Sequence, residues 1–365
     1  MRKIVVDDNI IMKSKISTAG SKMLHNFAPP YCAAVIDRLI KAGYADIKQA
    51  KPNEFGVSLT EAFGCVDSVA AGEADVGLGI DINGSIRKEA SKNSICFIKP
   101  TYGTVSRYGI VSVAPSMEQV GVACNNFTDG FEALSIIAGH DERDGTLAPT
   151  VEYNFTAHEK DLAGMKIAVP SGCEEKLKDV LLKLKGLGAS VKAIEFNELE
   201  SVPCVSYIIL AAEAGNSISR FDGIKFGYRT QDYLNLDDIY VKSRTESFSF
   251  ETKLLTLMSI LVLSKENFEG YYKRALWLRR IIKTVMDDVF KEYDAVVTPA
   301  EHSDAGEPFE KFCGSYKNLK YLALPNLTGC PAIALPGGVQ FIARTFDENT
   351  LFRIGNCLNE KEAAR

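Results

Sequence analysis

Gly79-Ile80-Asp81-Ile82-Asn83-Gly84-Ser85-Ile86-Arg87 places one serine on a tight turn, with small residues before it and an arginine two positions after. Such a turn suits a nucleophilic hydroxyl. Its backbone N–H groups, from Ile82, Asn83 and Gly84, can face a developing oxyanion, and the glycine lets a substrate carbonyl approach closely. Ser85 is therefore the candidate nucleophile. Asp81 and Arg87 are candidate structural residues, with Arg87 bracing the turn through backbone or carboxylate hydrogen bonds.

The flanking sequence supplies strands and helices in alternation. Ala74 to Gly79 leads into the turn, and Val66 to Ala71 before it reads as a helix closed by Gly72. Farther upstream, Lys3 to Val6 predicts a short strand, and Tyr31 to Ala42 carries apolar residues at helical spacing until Gly43 stops it. Downstream, Phe127 to Ala138 is a further helix. Lys166 to Val169, Glu174 to Leu187 and Val191 to Phe196 then spell a strand–helix–strand unit. From Ser206 the chain turns helical, with long segments near 253–264 and 266–292, and strands return at Ala295–Pro299 and Gln340–Ala343. No period of about 20–50 residues repeats, so the fold class is α/β and not a solenoid.

With 46% hydrophobic and 24% charged residues over 365 positions, the chain has ample material for a large core. A net charge of −5 argues against a protein that grips nucleic acid with its whole surface, and no direct nucleic-acid site is evident. Nine scattered cysteines, an odd count without any Cys-x-x-Cys pair, favour a reduced cytoplasmic protein over a disulfide framework. The four histidines lie far apart and show no metal spacing. No secretory signal is visible at the start. The most apolar window, Leu254 to Leu263, is too short to span a membrane and reads as a buried helix.

Several further stretches, in this order and spacing, carry a specific resemblance. They include Asp8-Asn9-Ile10, Ala19-Gly20-Ser21-Lys22-Met23-Leu24, Asn53-Glu54-Phe55 and Val69-Ala70-Ala71-Gly72-Glu73-Ala74. Beyond the serine turn come Lys99-Pro100-Thr101-Tyr102-Gly103 and Asn326-Leu327-Thr328-Gly329-Cys330-Pro331. Nearly end to end, the chain resembles the amidase signature family, and within it the A-subunit branch of the tRNA-dependent amidotransferases. The resemblance implies an α/β/α sandwich: a central mixed sheet covered by helices in a single domain over 1–365, with a helical cap-like region at about 200–290. It implies no cofactor and no metal. The family's activity is amide C–N hydrolysis, with glutamine as the small amide substrate in this branch, ammonia passed on for tRNA-dependent amidation, and B-like and C-like subunits as partners.

In that family a lysine, a serine in a cis peptide and a nucleophilic serine form the catalytic triad. Ser85 fills the nucleophile's position. Asp7 occupies the lysine's position, and the glycine- and serine-rich loop that holds the middle serine has no counterpart between Phe55 and Val69. Asn83 stands where the serine turn usually has its first glycine, Lys88-Glu89 follows Arg87 in place of a polar residue and proline, and Phe97 replaces a glycine. The first motif falls almost at the start of the sequence, so the resemblance leads us to expect no counterpart of the family's N-terminal helical segment, and the stretches at 311–324 and 336–340 look trimmed. Arg279 matches an arginine of the family's glutamine pocket, and Asp222 and Arg279 read equally as cleft residues or as surface charges, whereas the carboxylate that holds the substrate amino group has no obvious counterpart.

These departures leave three readings. The first is a catalytically impaired relative, a pseudoenzyme. The second is an active amidase rewired around Ser85 with help from Asp7 or Ser68. The third is a non-catalytic scaffold for the partner chains of an amidotransferase. For Asp7 the plainer account is a solvated carboxylate beside Asp8, and for Ser68 a helix-start cap. The basic, aromatic run Tyr271 to Arg280 reads as a helix with one charged and one buried face.

Overall fold

The computed structural model describes residues 2–58, 64–148, 153–156, 161–300 and 319–359. Ten strands among them form one mixed sheet in the order β2-β1-β3-β5-β4-β9-β10-β8-β6-β7. They are β1 (Ile4–Asp7), β2 (Ile47–Ala50), β3 (Val76–Asp81), β4 (Cys96–Lys99), β5 (Gln119–Cys124), β6 (Lys166–Pro170), β7 (Ser190–Ile194), β8 (Ala295–Pro299), β9 (Ala332–Leu335) and β10 (Val339–Ala343). The two ends of the sheet are parallel, β2-β1-β3 and β8-β6-β7, and every pair between β3 and β8 is antiparallel. The expected strand–helix–strand unit is β6, helix α5 (Lys178–Gly186) and β7, joined in parallel from Lys166↔Ser190 to Pro170↔Ile194.

Side chains alternate across a strand, and this sorts the core into two layers. Ile4 and Val6 of β1, with Val76, Leu78 and Ile80 of β3, join the larger cluster, which also holds residues of α1 (Ala34–Lys41) and α4 (Phe127–Ile137). Val5 faces the other way, into a smaller cluster with Cys65, Val66 and Val69 of α2 (Gly64–Ala70) and Ile86 and Ala90 of α3 (Ser85–Lys92). By the same alternation Asp7, Gly77, Gly79 and Asp81 face α2 and α3. A Cβ at Gly77 would lie 2.9 Å from the Cys65 carbonyl, so the glycine lets α2 sit directly on β3.

Helices α6 (Val202–Ile218), α7 (Leu236–Ser247), α8 (Phe250–Leu263) and α9 (Arg274–Glu292) follow one another in the second half. The apolar window at Leu254–Leu263 falls in α8, and it is not a buried helix. α8 packs on α6 and buries Leu255, Ser259 and Val262, but leaves Leu257 63% and Ile260 66% exposed. Its apolar residues surround the whole helix, whereas α6 covers only one face. α9 differs from expectation as well: its exposed side carries Leu276 and Trp277 besides the charges. No helix among the described residues is long and apolar enough to cross a membrane.

Candidate active site

β3 ends at Asp81, and α3 begins at Ser85 three residues after Ile82. Between them Gly84 takes φ +88°, and a Cβ there would sit 2.7 Å from the Leu322 carbonyl oxygen. Both the left-handed backbone and the lack of room demand glycine. Gly84→Ala is expected to cost about 2 kcal/mol or more from strain and overpacking, read as a lowered urea midpoint. An unchanged midpoint would contradict this account of the turn.

A network of buried hydrogen bonds surrounds the turn. Asp81 Oδ1 accepts the Gly84 N–H at 2.8 Å, and Asn83 Oδ1 accepts the Ser85 N–H at 3.1 Å. The fully buried Arg87 donates from Nε to Asp81 Oδ2 at 2.5 Å, and from its Nη atoms to the Leu322 carbonyl at 2.7 Å, to Asn326 Oδ1 and to Gln340 Oε1. Asn326 Nδ2 completes the network by donating to Asp81 Oδ1 at 3.1 Å and to the Met117 carbonyl at 3.2 Å. Asn326 lies in a stretch the sequence already singles out, but nothing local marks Leu322 or Gln340, whose pairing depends on the sheet order.

Ser85 itself is 2% exposed. Among the described residues its hydroxyl bonds no amine, imidazole or carboxylate. The N–H groups of Gly84 and Ser85 are taken by Asp81 and Asn83, which leaves the Ile82 and Asn83 N–H groups as turn donors without a partner among the described residues. Three buried asparagines, one of them in the turn, keep an amide atom unpaired among the described residues: Asn9 Oδ1, Asn53 Nδ2 and Asn83 Nδ2. A Cβ at Gly56 would stand 3.5 Å from Ile82 Cδ1 and 3.7 Å from Asn9 Nδ2. Glu54 holds this segment in place: its carboxylate accepts from Ser21 Oγ at 2.6 Å, from the Ser249 N–H at 2.8 Å and from Thr252 Oγ1 at 2.5 Å.

Asp7 is not the solvated carboxylate expected from its neighbour Asp8. It is 1% exposed, because it continues the Val5 face of β1 under α2 and α3. Its Oδ1 accepts the Cys65 N–H at 2.8 Å, and its Oδ2 and the Cys65 Sγ both crowd the space beside Gly79. Burial pushes the Asp7 carboxyl up to about 7, against the opposing pull of the Cys65 hydrogen bond. No hydrogen bond joins Asp7 to Ser85 among the described residues. Asp8 instead anchors Thr18, accepting from its N–H at 2.8 Å and its Oγ1 at 2.6 Å.

Ser68 is not a helix-start cap; it lies inside α2, where its carbonyl accepts the Glu73 N–H at 2.9 Å. The segment at 59–63, where the missing loop would fall, lies outside the described residues, as does most of 311–324. One buried amine escapes local sequence reasoning: Lys99, 1% exposed, donates from Nζ to the Pro100 carbonyl at 2.8 Å, and burial pulls its pKa down to about 8. Arg279 lines an open cavity of about 420 Å3 with Tyr102, Ser116 and Thr328. Its guanidinium is spent on the protein itself, donating to the Leu327 carbonyl at 2.7 Å and to Ser116 Oγ and carbonyl oxygen at 2.6 Å each. Asp222 caps a local turn by accepting the Ile224 N–H at 2.8 Å.

Comparison with known proteins adds to this geometry. A family model described as amidase matches residues 64–352. The A subunit of the glutamyl-tRNA(Gln) amidotransferase of Lacticaseibacillus casei (strain BL23) is 36% identical over 394 aligned positions, covering 96% of this chain and 81% of that protein. Its counterpart in Enterococcus faecalis is 35% identical, over 96% of this chain and 80% of that one. Among solved structures, the A subunit of the glutamyl-tRNA(Gln) amidotransferase from Thermotoga maritima superposes with a TM-score of 0.74 at 26% identity, covering 98% of this chain and 82% of that one. The peptide amidase of Stenotrophomonas maltophilia shares the fold, with a TM-score of 0.78 at 21% identity, covering 100% of this chain and 83% of that one.

Proposed function

The chain belongs to the amidase signature family, and from that membership we propose that it is a relative of the amidotransferase A subunits in which amide hydrolysis has been lost. The observation that carries the reading is the environment of Asp7. In the family a lysine at this position takes the serine's proton and returns it to the leaving ammonia. Here a carboxyl stands there, turned onto the Cys65 N–H and buried under α2. General acid–base help is worth about 10²- to 10⁴-fold in rate, and a neutral hydroxyl without it is a poor nucleophile near pH 7.

Further support comes from the turn. Two of its N–H groups are already occupied, and Arg279, the residue matched to the glutamine pocket, has its donors filled by Ser116 and Leu327. The retained function in this reading is that of a scaffold, holding B-like and C-like amidotransferase subunits in the cytoplasm. One observation favours a rewired amidase instead: a carboxyl at about 7 has the proton affinity a general base needs near neutral pH.

A glutaminase and general amidase assay on the purified chain separates the two, with Ser85→Ala as control and a fluorophosphonate probe for the hydroxyl. Background ammonia release, unchanged in Ser85→Ala and without labelling, is the expected result. Release that disappears in Ser85→Ala would overturn the proposal. Asp7→Lys alone is expected to remain inactive, since the middle serine's loop is missing too.

A further inference from the structure

The exposed face of α9 carries a second depression beside the cavity that Arg279 lines. Two depressions adjoin there and share Arg280. One, of about 270 Å3, lies between Trp277, Ile281, Thr284 and Val285; the other, of about 420 Å3, extends past Leu276 and Lys283. Trp277, the single tryptophan of the chain, is 60% exposed. A tryptophan beside an arginine over an apolar groove is the composition that anchors protein interfaces, because a large ring leaves water when a partner covers it.

The helix segment that lines the groove is basic, with Glu213 against Ser116 and Asp287 against Lys283 as nearby carboxylates. Lys273, Arg274, Arg279, Arg280 and Lys283 fall within 273–283, a stretch without a single carboxylate, although the chain as a whole carries −5. Most of these cations are engaged: Arg279 with Ser116 and Leu327, Lys273 with Glu269, and Lys283 with Asp287. Arg280 is exposed, sits between the two depressions, and makes no ion pair or side-chain hydrogen bond among the described residues.

We propose that this face docks a short segment of a partner protein in which apolar side chains alternate with carboxylates. An apolar side chain seats against Trp277, Ile281 and Val285, and a neighbouring carboxylate pairs with Arg280. The mostly apolar lining and the lone cation between the depressions that is unengaged among the described residues, Arg280, favour such a segment over nucleic acid, whose phosphates need several free cations. The surface is independent of whether Ser85 acts.

The test uses the full chain and a phage-displayed library of random twelve-residue peptides. Enriched peptides are expected to combine Asp or Glu with Leu, Ile or Phe. Synthetic copies should shift Trp277 emission to shorter wavelength in a saturable way. Arg280→Glu is expected to weaken their binding about tenfold or more, since reversing the charge turns attraction into repulsion. Thr284→Glu provides a second variant that places a carboxylate in the groove, and circular dichroism checks that both fold. The absence of enrichment, or peptides that bind both variants as tightly as the original chain, would overturn the proposal. Quenching of Trp277 by single-stranded RNA at lower concentration than by any peptide would also overturn it and reassign the face to nucleic acid.

Discussion

Asp7→Asn is expected to stabilise the protein at neutral and alkaline pH and to flatten its dependence of stability on pH. An aspartate in the unfolded chain titrates near 3.8, whereas burial in the fold lifts Asp7 to about 7. Between these values the unfolded chain releases a proton that the folded chain keeps. Stability from this group is therefore fully present below about pH 4 and is lost as pH rises through 7. Each unit of difference corresponds to about 1.4 kcal/mol, so the effect at pH 8 is on the order of several kcal/mol. Asparagine removes the titration but can still accept the Cys65 N–H through its carbonyl oxygen. Urea unfolding at pH 5 and pH 8 provides the measurement. Asp7→Asn should gain far less at pH 5 than at pH 8, and parallel profiles for the two proteins would show that Asp7 stays charged in the fold.

Arg87→Met should have the opposite and comparably large effect, a loss of about 3–5 kcal/mol. The guanidinium is completely buried and supplies donors to Asp81, the Leu322 carbonyl, Asn326 and Gln340 together. Removing one partner of a buried ion pair leaves the other charge without compensation, which costs far more than the pair itself is worth. Asp81 also fixes the Gly84 N–H, so the serine turn should loosen as well. Adding Asp81→Asn to Arg87→Met is expected to recover part of the loss, because the stranded charge disappears. A double-mutant cycle in urea reads this coupling. A single variant within about 1 kcal/mol of the parent would mean that the network contributes specificity and little stability.

Much of the architecture is legible in local patterns. The strand at Ala295–Pro299, the unit from Lys166 to Ile194 and the helix from Phe127 all sit where apolar spacing and terminal proline or glycine place them. β2 is harder to read, since Ile47-Lys48-Gln49-Ala50 has neither apolar density nor clean alternation, and it forms because β1 offers a parallel edge. The burial of Asp7 follows from the alternation that puts Val5 against α2, but only once the strand is known to continue one residue further. The half-exposed faces of α8 and α9 are invisible to composition, which reports that residues are apolar and not how many neighbours will cover them. The partners of Arg87 are hidden for a different reason: they are set by tertiary contacts far apart in the chain.

That last point bears on how the molecule is made. Arg87 emerges from the ribosome 235 residues before Leu322 and 253 before Gln340. At about 5–20 residues per second, many seconds pass in which the cation has no carbonyl cage to enter. Translation must run past Gln340 before the loop bearing the hydroxyl can harden, so a product terminated ahead of that point would carry a buried-type charge unhoused.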